Sequence, residues 1–239
     1  MSSVRAATTA ASPHVQRRDS AGITIRSWRL PLLAVLLLMA AVAVVPADCW
    51  VARHLAESAW PRGTSELRKL IHLAEVFASG VGVIAILITA ALLDRRGWRI
   101  VPRLALLSLG SGLMADVGKL MLARARPRIF DLSQSGWDSF GVWLPTLLSN
   151  PESQLGSNWQ AMPSAHTATA MGLAIGLSRL YPQARNWFFF LVVLAGLQRI
   201  LVSAHYPSDV LVGAALGLFF AAACQRMGRF STWLERLEK

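Results

Sequence analysis

Leu30 to Ala47 and Val76 to Leu93 run without a single charged side chain, and Val210 to Gln225 repeats the pattern. Runs that approach the ~20 residues needed to cross a bilayer leave a chain few options, because lipid offers no hydrogen bonds to an unpaired backbone. Helices satisfy that demand locally, so the chain reads as an all-α integral membrane protein. Three further apolar runs have charges at their ends: Val101 to Leu122, His166 to Leu180 and Trp187 to Val202. Together these predict a six-transmembrane-helix bundle with spans at about 30–47, 72–93, 101–122, 165–180, 187–203 and 208–225, in one domain over 28–230. Only 15% of residues are charged and mean hydropathy is +0.45, as such a bundle requires.

The net charge of +11 does not point to nucleic acid, since the basic residues are spread over loops instead of gathered on one face. With both termini cytoplasmic, most of them fall inside, among them Arg26, Arg29, Arg95, Arg96, Arg99, Arg179, Arg185 and Arg226. That distribution obeys the positive-inside rule. Cys49 and Cys224 fall at opposite membrane faces and cannot pair. Residues 1–27 are polar, basic and rich in Ala, Ser and Thr, so a disordered cytoplasmic tail is expected. An uncleaved first span fits the run after it better than a signal peptide, because the run is long and Pro46-Ala47-Asp48-Cys49 makes a poor cleavage site.

Between the third and fourth spans lies a long outer loop, 123–163, with Trp137, Trp143 and Trp159. Its segment "FGVWLPTLL" (140–148) suits either the lipid surface, which tryptophan favours, or a folded cap over the spans. Ser108/Gly112, Gly172/Gly176 and Gly213/Gly217 have the small-xxx-small spacing that lets helices approach closely. His54 and His72 show no metal-ligand pattern.

The ionisable residues that do enter the spans gather at one face. Lys119 closes the third span and Arg126-Pro127 follows; His166 opens the fourth; Arg199 ends the fifth; His205 and Asp209 flank the start of the sixth. Cations at such depth are costly unless paired. Asp116 and Asp209 are the carboxylates expected nearby, with Asp116 a helix-face partner for Lys119. The remaining negative charge is expected from a ligand, and a phosphate suits best. Ser164 after Pro163 is a good N-cap, which aims the fourth helix's free N–H groups at that ligand. Pro207 places His205 just before the last helix and Asp209 in its first turn. There the carboxylate can take a hydrogen bond from one ring nitrogen and leave the other as a nucleophile.

These residues fall into three motifs: "KLMLARARP" (119–127), "PSAH" (163–166) and "RILVSAHYPSD" (199–209). In this order, at span ends, they resemble the signature of the type 2 phosphatidic acid phosphatase (PAP2) superfamily. The resemblance implies a metal-independent lipid phosphatase that needs no cofactor and works through a phosphohistidine. By it, His205 attacks phosphorus, Asp209 orients His205, and His166 protonates the leaving oxygen. Lys119, Arg126, Ser164, Arg199 and the backbone N–H near Ala165 then hold the phosphoryl oxygens. Gln198 stands where the family usually has Ser, and Ala165 where Gly is commoner; alanine keeps the N–H but disfavours positive φ.

The expected partner is a lipid phosphate in the membrane: phosphatidic acid, phosphatidylglycerol phosphate, a polyprenyl diphosphate or the phosphate of a lipopolysaccharide anchor. The expected setting is a bacterial cytoplasmic membrane with the site on its outer face. A phosphotransferase of the same family and a non-catalytic lipid-binding protein stand as alternatives. A haloperoxidase, whose soluble members share the motifs, does not suit six spans. The sequence leaves the oligomeric state open.

Overall fold

A computed structural model of the chain describes residues 29–58, 66–141 and 157–227. The expected tail at 1–27, Trp143 and most of "FGVWLPTLL" lie outside the described residues. The α-helices among the described residues are α1 Arg29–Glu57, α2 Glu66–Leu73, α3 Gly80–Leu93, α4 Val101–Lys119, α5 Ala165–Leu180, α6 Arg185–Leu201 and α7 Pro207–Arg226. Extended pairing among the described residues is limited to two isolated bridges, from Arg124 to Phe140 and to Gln160.

α5 occupies the centre. Every residue from Thr167 to Ser178 is buried, and the helix packs against α4, α6 and α7, while α1 lies along α7. Such close approach needs small side chains at the crossings. A Cβ on Gly172 would meet the Leu107 carbonyl and the Ser111 hydroxyl of α4, and one on Gly213 of α7 would meet the Ser164 carbonyl. The small-xxx-small pairs are therefore seats for neighbouring helices, and two of them bring α4 and α7 against the start of α5.

The six expected spans are only partly matched. Among the described residues, four helices are long and apolar enough to cross a membrane: α1, the segment Gly97–Lys119 that ends in α4, the segment Pro182–Leu201 that ends in α6, and α7. A fifth counts if Lys69–Phe77 and Gly80–Leu93 form one broken span, bent by 71°. The expected continuous helix over 72–93 is thus interrupted. A 3-10 turn runs over Ala74–Phe77, and Ser79 starts a new helix by accepting a hydrogen bond from the Gly82 N–H. The expected fourth span, α5, has 16 residues and is sheathed by its neighbours.

Boundaries shift as well. α4 stops at Lys119, not at 122. α1 continues past 47 to Glu57, through Pro46, which brings Asp48 and Cys49 into the helix and not into a loop. Hydropathy ended the span at the first charge, but that charge is buried inside the protein. Cys49 and Cys224 are both free.

Gly172→Val is expected to lower the thermal midpoint in detergent, at a cost of about 1–3 kcal/mol or more for overpacking. Gly80→Ala, which meets nothing within 4 Å, is expected to leave the midpoint in place.

Candidate active site

The site is assembled by the stretch 123–126, which leaves α4 and is held from both sides. The Arg124 and Arg126 N–H groups donate to the Trp159 and Asn158 carbonyls at 2.8 and 2.9 Å. On the other flank, the Ala125 N–H donates to Ser139 and the Gly141 N–H to Ala123, at 2.9 and 2.8 Å. The Ala161 N–H returns to the Arg124 carbonyl at 3.1 Å. The two ends of the outer loop are thereby fixed against each other beneath the mouth of α5.

Arg124, which lies within the first motif but has no role in the resemblance, is the most connected side chain of this region. It is fully buried. Its guanidinium donates to Asp48 Oδ2 at 2.7 Å, Asp209 Oδ1 at 2.5 Å, Ser208 Oγ at 2.7 Å and Ser139 Oγ at 2.8 Å. The Phe140 and Tyr206 rings stack on it, 4.4 and 4.2 Å from their centroids. Burial opposes its charge, but Asp209 and Asp48 outweigh that and hold it above its ordinary value. Asp48 also accepts from the Ser208 N–H at 3.1 Å and from the Ser208 hydroxyl. One guanidinium thus joins α1, the loop and the first turn of α7.

His205 and Asp209 lie where the sequence placed them, on either side of the start of α7. Their expected direct bond is not formed: Nδ1 of His205 is 3.8 Å from Asp209 Oδ2 and 2.5 Å from the Ala161 carbonyl. Asp209 is engaged elsewhere, by Arg124 and by the Tyr206 N–H at 2.8 Å. The His205 and Ala204 N–H groups both donate to the Arg199 carbonyl, at 3.2 and 3.1 Å. Ser203 takes φ 53° to make that turn. Burial, followed by weaker and opposing effects of Asp209, sets the His205 imidazole below its ordinary range, so it stays neutral.

Facing it are the residues of the other motifs. Lys119, Arg126, Arg199 and His205 all lie within electrostatic reach of His166, and Arg199 Nη1 is 3.2 Å from His166 Nε2. Ser164 caps α5, accepting from the Thr167 N–H at 3.4 Å and the Thr167 hydroxyl at 3.0 Å. The Ser164 N–H donates to the Asp209 carbonyl at 3.1 Å, tying α5 to α7. Ala165 is the first helical residue and its φ is not positive, so alanine meets no backbone penalty there.

The expected shortage of carboxylates needs correction. Lys119 pairs with Asp116 at 2.7 Å. Arg199 pairs with Glu75 at 3.1 Å. Asp48 and Glu75 join the two carboxylates expected, one because α1 is longer than its apolar run and the other because the second span breaks. Arg126 differs: its buried Nε has no hydrogen-bond partner among the described residues. Burial, then the Arg128 and Arg199 cations, depress its proton affinity. No group of three or more His, Cys, Asp or Glu suited to a metal ion occurs among the described residues.

The PAP2 superfamily model matches residues 100–233, a stretch that contains all three motifs. Two curated relatives, the lipid A 1-phosphatases of Rhizobium johnstonii and Rhizobium etli, are each 32% identical over 111 residues, or 46% of this chain. That stretch is 41% and 43% of their respective lengths, so the chain spans less than half of the curated relatives it matches. Among solved structures, a transmembrane PAP2-type phosphatidylglycerolphosphate phosphatase from Bacillus subtilis superposes with a TM-score of 0.52. It covers 85% of this chain and 96% of its own at 19% identity, which is a likeness of fold.

Arg124→Met is expected to cost ~3–5 kcal/mol, because it strands two buried carboxylates. Adding Asp48→Asn should recover part of that loss, read as the midpoint of unfolding in detergent.

Proposed function

We propose that this chain, which belongs to the PAP2 superfamily, is a membrane lipid phosphatase that works through a phosphohistidine on His205. The observation that carries this reading is the bond from His205 Nδ1 to the Ala161 carbonyl. A carbonyl only accepts, so Nδ1 carries the proton and Nε2 keeps its lone pair. The lone pair then belongs to a neutral, buried ring within reach of Arg126.

In the first step Nε2 attacks phosphorus, a P–N bond forms and the P–O bond to the lipid breaks. The leaving oxygen takes a proton from the His166 imidazolium, whose Nε2 turns to it from Arg199 Nη1. In the second step His166 takes a proton from water, the resulting hydroxide attacks phosphorus, and the P–N bond breaks to free His205 and inorganic phosphate. Lys119, Arg126, Ser164, Arg199 and the Ala165 N–H hold the phosphoryl oxygens, where charge builds up. Asp209 acts on His205 through the turn that it fixes, by way of the Tyr206 N–H and Arg124, and through its charge 3.8 Å away. No step requires a metal ion. The protein would sit in a bacterial cytoplasmic membrane, with both termini inside and the site on the outer face.

The lipid A 1-phosphatase relatives favour a phosphomonoester of a lipid as substrate. Transfer of the phosphoryl group to another lipid differs only in the acceptor of the second step.

Phosphate release from a panel of lipid phosphates by purified protein tests the proposal. His205→Ala is expected to abolish turnover, by about a thousandfold or more, and His166→Ala to lower it by about 10²–10⁴-fold. EDTA should have no effect; activity that vanishes with EDTA, or that survives in both variants, contradicts the mechanism. The pH profile follows from the neutral ring. Because burial sets His205 below its ordinary 6.5, kcat/KM corrected for substrate ionisation should hold as pH falls through 6.5 and drop only below it. An acid limb centred above that value opposes the assignment.

A further inference from the structure

Glu75 lies in the 3-10 turn Ala74–Phe77, at the break between α2 and α3, and none of the three motifs includes it. Its Oε1 accepts from Arg199 Nη2 at 3.1 Å and lies 4.0 Å from His166 Nε2. Its Oε2 accepts from Gln198 Nε2 at 3.0 Å, while Gln198 Oε1 accepts from Arg199 Nε at 2.6 Å. The glutamine that departs from the family's usual serine is thus long enough to bind the arginine and the carboxylate at once. The Glu75 side chain is 39% exposed, so the carboxylate is a wall of the site and not a core group.

We infer that Glu75 determines substrate class, favouring lipid phosphomonoesters whose leaving group carries hydroxyls, such as a sugar or glycerol, over lipid diphosphates. The inference rests on the assignment of His166 as the acid, which makes the His166 edge of the site the leaving-group edge. A diphosphate would bring a second phosphate there, against a fixed carboxylate. A hydroxyl-bearing leaving group would find an acceptor. Juxtaposed like charges in a partly desolvated site cost enough to discriminate.

The distribution of charge favours the same class. Arg124 faces two carboxylates, and Lys119 and Arg199 one each. Arg126 and Arg128 make no ion pair among the described residues, so these side chains leave one positive charge in excess, and the protonated His166 that the first step needs adds a second, which matches the dianion of one phosphomonoester. That balance suits one phosphoryl group better than two. Glu75 also holds Arg199 in place while no phosphate is bound, but a purely supporting role would affect both substrate classes alike.

The test compares wild-type protein with Glu75→Gln and Glu75→Asp on a phosphatidylglycerol phosphate and on a polyprenyl diphosphate. Wild type should prefer the monoester, and Glu75→Gln should shift the kcat/KM ratio toward the diphosphate by about tenfold. Glu75→Asp, which keeps the charge, should keep the preference. An equal loss on both substrates in Glu75→Gln, or a wild-type preference for the diphosphate, overturns the inference. Turnover of neither substrate by wild type would instead reject the phosphatase reading. Calorimetry with phosphate and pyrophosphate then judges Glu75 alone: Glu75→Gln should tighten pyrophosphate more than phosphate, and a uniform change would overturn the inference.

Discussion

The buried guanidinium of Arg124 is the interaction on which the site depends. It gathers Asp48 from α1, Ser139 from the outer loop, and Ser208 and Asp209 from α7. A fully buried ion pair has to recover a large desolvation cost, and it does so only when nearly every donor and acceptor is satisfied. Here each of the three guanidinium nitrogens has a partner and two rings cover its faces. The backbone of the same residue meets Trp159 and Ala161, and Ala161 in turn receives the His205 ring proton. The orientation of the proposed nucleophile therefore rests on a cation that touches no substrate.

Around that fixed centre the charges are mostly balanced before any ligand arrives. Lys119 rests on Asp116 and Arg199 on Glu75, which spares the helices the cost of unpaired cations near lipid. Arg126 and Arg128 make no ion pair among the described residues, and the buried Nε of Arg126 has no hydrogen-bond partner there. Preformed donors with one unmet need suit phosphoryl transfer, where positioning and charge stabilisation carry most of the catalysis.

Much of this was legible in the sequence. The apolar runs gave the helices, Pro207 gave the register of His205 and Asp209, and the proline-serine pair gave the cap on α5. The glycine pairs gave the close crossings. What escaped depended on tertiary contacts. A charge such as Asp48 looks like the end of a span until its partner, 76 residues away, is known. Glu75 was hidden because a broken helix and a continuous one have the same hydropathy. The expected bond between His205 and Asp209 failed because two closer partners, Ala161 for the ring and Arg124 for the carboxylate, compete for the same groups.

The most direct measurement is a chemical trap of the covalent intermediate. Protein mixed with a lipid phosphate labelled at phosphorus and quenched at high pH should carry label on His205. The label should be stable to alkali and lost in acid, as a phosphoramidate is, and it should be absent from His205→Ala. Label on another residue, or none on wild-type protein sampled during rapid turnover with slow dephosphorylation, would contradict the account.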